Sequence, residues 1–113
     1  MADHIRIHPA GGTWVVRAEG AVIAESRAAL ELIEGRLPPV IYFPRADVAM
    51  ALLETSDRVT HCPWKGETVY FHIGVPAARV ADAAWSYESP TPGVAAIAGH
   101  VAFDASLVTV ERL

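Results

Sequence analysis

Residues 67–73 read ETVYFHI, and their side chains alternate without interruption. Val69, Phe71 and Ile73 fall on one face of an extended chain, Thr68, Tyr70 and His72 on the other. Period two, carried by β-branched and aromatic residues, predicts a half-buried strand and decides for a sheet protein. Immediately upstream stands HCPWKG (61–66), where Pro63 is pre-set for the second position of a type I turn and holds Cys62 extended. Cys62 and Lys65 then become the first and last residues of that turn. Gly66 is free to take the left-handed conformation that returns the chain to the strand.

The same reading extends in both directions. TWVVRAEGAVIAES (13–26) has two β-branched runs around Glu19-Gly20, the spacer of a two-residue hairpin. AALELIEG (28–35) and PPVIYFP (38–44) read as strands, although the first is also compatible with a helix by composition. PRADVAMALLETS (44–56) changes period. Val48, Ala51, Leu52 and Thr55 recur at helical spacing behind Pro44 and Asp47, which predicts one helix over about 45–54. ARVADAAWSY (78–87) returns to one or two strands, SPTPG (89–93) breaks any ladder, and GHVAFDASLVTVERL (99–113) holds two short strands around Asp104 to Ser106. Short strands, frequent turn residues and one helix predict a mainly β (α+β) fold, an antiparallel sheet that is curled or closed into a barrel.

The chain has 113 residues, which predicts a single domain over 1–113 with one sizeable core. The net charge of −4 comes with scattered arginines rather than a basic stripe, which argues against nucleic acid as a partner. No apolar run is long enough to span a bilayer, so no membrane association is expected. The N-terminus lacks the apolar h-region of a secretory signal, and a lone cysteine fits a reducing compartment; together these predict a cytoplasmic protein. Metal is not expected either. His4, His8, His61, His72 and His100 are scattered, with no HExxH and no CxxC pair, and no other cofactor motif is present.

Cys62 admits two readings. A cation such as Lys65 lowers a thiol pKa, and an exposed thiolate is a nucleophile. Free cysteine is also among the most buried residue types, and the structural reading, a small hydrophobe at a turn, is the one expected here. Cys62 is retained as a candidate nucleophile, and whether the protein is an enzyme stays open.

Five separated motifs in order carry a resemblance: YFPR (42–45), DV (47–48), HCPWKG (61–66), AWSY (84–87) and GHVAF (99–103). Together they resemble the bacterial domain-of-unknown-function 427 family over nearly the whole chain. The resemblance implies a small β-rich domain with a helix after the YFP motif, and no established activity. Members have been labelled nucleotidyltransferase-like. The sequence has neither a Gly-Ser followed by paired metal-binding aspartates nor a phosphate-cradling loop, and so does not support that label.

The motif residues Tyr42, Arg45, Asp47, Trp64, Lys65, Trp85 and Tyr87 are the candidates for lining a shared pocket. Aromatic walls with a few convergent polar groups suit a small ligand, while the alternative is that the aromatics simply build the core. Arg45 and Lys65 are seldom buried without a partner; facing one cavity, they would suit a carboxylate or phosphate. Glu31, Glu34, Glu54 and Asp57 read as a solvated face. The leading expectation is a domain that binds a small anionic molecule. The alternative is a non-catalytic protein-interaction or assembly module, and a homodimer is compatible with either.

Overall fold

The structure, a computed structural model, describes residues 4–113. Among them ten strands form two antiparallel sheets: β1 (Ile5–Pro9), β2 (Trp14–Ala18), β3 (Ala21–Ser26), β4 (Leu30–Glu34), β5 (Val40–Phe43), β6 (Leu53–Cys62), β7 (Gly66–Val75), β8 (Ala78–Ser86), β9 (Val101–Phe103) and β10 (Thr109–Arg112). The large sheet has the order β1-β4-β5-β9-β8-β7-β6 and the small one β10-β2-β3. The sheets are curled rather than closed into a barrel. No helix among the described residues is long and apolar enough to cross a membrane.

The hairpins form where turn chemistry demands them. Glu19 and Gly20 both have positive φ, 49° and 83°, and join Ala18 to its partner Ala21, the geometry of a primed two-residue turn. At the Cys62 turn the Lys65 amide donates to the Cys62 carbonyl at 3.3 Å, and Gly66 takes φ +111°. A side chain at Gly66 would meet strained backbone and stand 3.4 Å from the Ser89 carbonyl oxygen, so this position needs glycine.

The expected helix over 45–54 is not a continuous α-helix. Arg45–Asp47 and Met50–Leu52 each make one 3-10 turn, and between them Val48 is extended. Tertiary pairing explains the break. Val48 forms an isolated bridge with Ala24, and the Ala49 amide donates to the Ile23 carbonyl, so the segment is drawn onto β3 instead of closing its own i→i−4 bonds. Val48 is buried as its spacing implied, whereas Leu52 is only half-buried. From Leu53 the chain already runs in β6, a strand whose alternation is interrupted by a bulge between Thr55 and Val59. The SPTPG loop leads into a further 3-10 segment, Pro92–Ile97.

The large sheet has two different faces. Its inner face, with Ile41, Phe43, Phe71, Ile73, Val101 and Phe103, packs on Val16, Ala18, Ile23 and Ala24 of the small sheet and forms the main core. Phe43 and Phe103 meet edge to face at 5.7 Å. The alternate residues point outward. Leu32, Tyr42, Tyr87 and Ala102 form a second, smaller cluster with Val94 and Ile97 of the Pro92–Ile97 segment, which covers only part of that face.

Candidate functional site

The uncovered part of the outer face is a cavity of about 360 Å³. Four of the seven motif residues converge on it: Tyr42, Lys65, Trp85 and Tyr87. They meet because of strand alternation. Tyr42 lies on β5 opposite Ala102 of β9, Trp85 lies on β8 opposite the same residue, and Tyr87 follows two positions along. Lys65 arrives from the β6–β7 turn. Its Nζ donates to Glu34 Oε1 at 2.5 Å and sits 5.8 Å from the centre of the Tyr87 ring.

The other three motif residues are not brought there. Arg45 lies over Phe71 on the inner side of the sheet. It donates from Nε to the Gly99 carbonyl at 2.9 Å and from Nη2 to Glu88 Oε2 at 2.6 Å and Ser86 Oγ at 3.3 Å. Ser86 and Tyr87 are neighbours and face opposite ways, so the sheet itself separates Arg45 from Lys65. The two cations expected to converge do not. Asp47 accepts from Ser26 Oγ at 2.7 Å and ties the Arg45–Asp47 turn to β3. Trp64, at the tip of its turn, is 44% exposed and packs edge-on against His4 at 5.0 Å. Its position is fixed by the carbonyl that accepts from Thr91 Oγ1, not by a cavity.

Cys62 is half-buried and packs against the outer-face cluster. It does not line the cavity described above.

Several cavity residues were outside the motifs. Thr68 and Tyr70 come from the polar side of the ETVYFHI alternation, which was the available signal. Glu34, read as solvated, is instead partly buried as the partner of Lys65. Arg58 and Asp82 also line the cavity and owe their places to bulges. The Arg58 guanidinium stacks over Tyr70 at 4.4 Å, and the Tyr70 hydroxyl pairs with Thr60 Oγ1 at 2.9 Å. Asp82 has φ 50°, a left-handed backbone that a non-glycine residue holds only when its surroundings fix it. Here Ser56 Oγ donates to its carboxylate at 2.5 Å, and its own amide donates to His72 Nδ1 at 3.0 Å.

Three of the polar groups of the cavity, Tyr42, Lys65 and Tyr87, are donors, beside the carboxylates of Glu34, Asp82 and Asp104. Burial pushes the Tyr42 phenol well above its ordinary value, against the lowering effect of the Trp85 hydrogen bond. Burial likewise raises the Tyr87 phenol, opposed by Thr68 and Lys65. For Lys65 burial favours loss of the proton, but the Glu34 hydrogen bond and the nearby Tyr87 and Glu34 outweigh it, and its pKa is raised. All three groups hold their protons at neutral pH. The Tyr42 hydroxyl accepts from Trp85 Nε1 at 3.2 Å, which leaves its own hydrogen available. A lysine ammonium has three hydrogens, and Glu34 takes one of those of Lys65. Among the described residues no group of three or more His, Cys, Asp or Glu side chains is placed to hold a metal ion.

Fold and site together define a mainly β domain with a donor-lined aromatic cavity on the outer face of its larger sheet. Residues 6–112 match the family described as Domain of unknown function (DUF427), and the chain belongs to that family. No curated protein matches the chain.

Proposed function

We propose that this protein binds a small molecule through acceptor oxygens, a single carboxylate or carbonyl group above all, in the outer-face cavity. The observation that carries the reading is the convergence of Lys65, Tyr42 and Tyr87, protonated and partly desolvated, on one aromatic-walled space. Desolvated donors discriminate strongly for a ligand that satisfies them. A polyanion fits less well. The lining sets two cations, Lys65 and Arg58, against three carboxylates, Glu34, Asp82 and Asp104, so it has no surplus positive charge: a lone carboxylate or carbonyl is held by the hydrogen bonds of Lys65 and the tyrosines, and further negative charges are repelled.

The protein-interaction alternative would use an exposed sheet edge. The β1 edge ends in Pro9, and the β6 edge carries Glu54, Asp57, Arg58 and a bulge, devices that discourage strand addition. The pocket reading is therefore preferred. Calorimetric titration with a panel of small carboxylates and carbonyl compounds tests it. At least one binds, Lys65→Met weakens that binding about tenfold or more, and Arg45→Lys does not. Binding that ignores Lys65→Met, or no binding across the panel, would overturn the reading.

A further inference from the structure

A second, largely apolar cleft of about 670 Å³ adjoins the donor-lined cavity. The two share five lining residues, Leu37, Pro38, Val40, Trp85 and Asp104. Their junction has a cause in the sheet. β5 and β9 are paired only through Tyr42–Ala102 and Phe43–Val101. Beyond that point the Asp104 amide turns away to the Ala83 carbonyl at 2.8 Å, and Val40 and Asp104 are left flanking the opening between the strands. The segment with Leu37, Pro38 and Pro39 borders this opening, and Leu37 is 60% exposed there with no core to join. On the far side the walls are Trp14, Ile41, Phe103, Ala105 and Val110; the charged lining residues are Glu31, which His8 pairs at 2.6 Å, and Asp104 at the junction, with no lysine or arginine.

We infer that the ligand is an amphiphile: a monocarboxylate whose head sits with Lys65 and the tyrosines while an unbranched apolar tail runs past Trp85 into the second cleft. The inference rests on the pocket reading above and adds the tail. Polarity supports it at both ends, because the donors lie in one cavity and the aliphatic and aromatic walls in the other, with the Trp85 indole forming a wall of each. A compact polar ligand would leave the apolar cleft in contact with water. A purely apolar one would leave the donors around Lys65 and Tyr42 desolvated without new partners.

The test is a homologous series from butyrate through hexanoate and octanoate to decanoate, titrated into the intact protein, with the tryptophan indole resonances followed in parallel. Affinity is expected to rise by up to about fourfold per added methylene as each is buried, then to level off. The Trp85 indole signal shifts with every member of the series. The Trp14 indole, held by the Gly11 carbonyl at 2.9 Å beside the second cleft, shifts only with the longer acids. Ala105→Glu, at an exposed position, adds a carboxylate among the apolar walls, beyond Glu31 and Asp104 at the margins, and should abolish the dependence on chain length. If butyrate binds but affinity does not grow with length, or grows equally in Ala105→Glu, the tail inference fails while the pocket reading stands. If no member of the series binds, in the wild type or in Ala105→Glu, the amphiphile is excluded; only the wider carboxylate and carbonyl panel then bears on the pocket.

Discussion

The two faces of the large sheet are built from the same strands by the same alternation, and they meet different fates. Phe43 points inward and is fully buried against Phe103 and the small sheet; its neighbour Tyr42 points outward and is just as inaccessible, yet borders a cavity. The inner face needs only apolar volume. The outer face carries Thr68, Tyr70, Lys65 and Glu34, polar groups that packing does not require and that burial penalises. Polar residues placed where a larger apolar cluster would stabilise more are the ones on which the proposed ligand recognition rests.

That contrast can be broken by substitution. Phe43→Ala removes a core ring and should lower unfolding free energy by about 3 to 5 kcal/mol, read as a shift in the denaturant midpoint at constant slope. Arg45→Ala comes next. It removes the hydrogen bonds to Gly99, Ser86 and Glu88 on the inner side and should cost about 1 to 3 kcal/mol of stability without changing carboxylate affinity. Tyr42→Phe, on the other face, should cost only about 0.5 to 1.5 kcal/mol through the Trp85 hydrogen bond while weakening ligand binding clearly. A reversal, with Arg45→Ala impairing binding and Tyr42→Phe sparing it, would invert the assignment of faces.

The smallest expected effect is a slope against pH. Lys65, Tyr42 and Tyr87 all have folded pKa values above their ordinary ones. The unfolded chain therefore loses these protons first, and stability falls as pH rises through about 10 and beyond. The Lys65 contribution is complete at neutral pH and disappears in that alkaline range. Melting curves between pH 7 and 11 should show the loss, and Lys65→Met should flatten part of it.

Much of the fold was legible in the sequence because turn chemistry and period two agreed. Glu19-Gly20, the Cys62–Lys65 turn and the ETVYFHI strand all behave as their residues dictate. What escaped were segments where tertiary contacts overrode a local pattern. Val48 fits a helical period and an extended bridge to Ala24 equally well, and only the fold chooses between them. β6 was hidden because the Ser56–Arg58 bulge sets three residues against one of β7 and interrupts its alternation. The site was half legible for the same kind of reason. Tyr42, Lys65, Trp85 and Tyr87 stand in or beside strands whose faces can be counted. Arg45 lies just past the end of β5, where period two no longer says which way a side chain turns. Glu34 meets Lys65 across thirty-one positions of sequence, a pairing that no local pattern encodes.

The most direct test of the central claim, that the outer face and not the Arg45 side receives the ligand, is an amide and indole chemical-shift titration with butyrate. Saturable shifts are expected at Lys65, Thr68 and the Trp85 indole, with the Trp64 indole and the amides of Glu88 and Gly99 unmoved. Shifts confined to Glu88, Gly99 and the surroundings of Arg45, or none that saturate at Trp85, would contradict it.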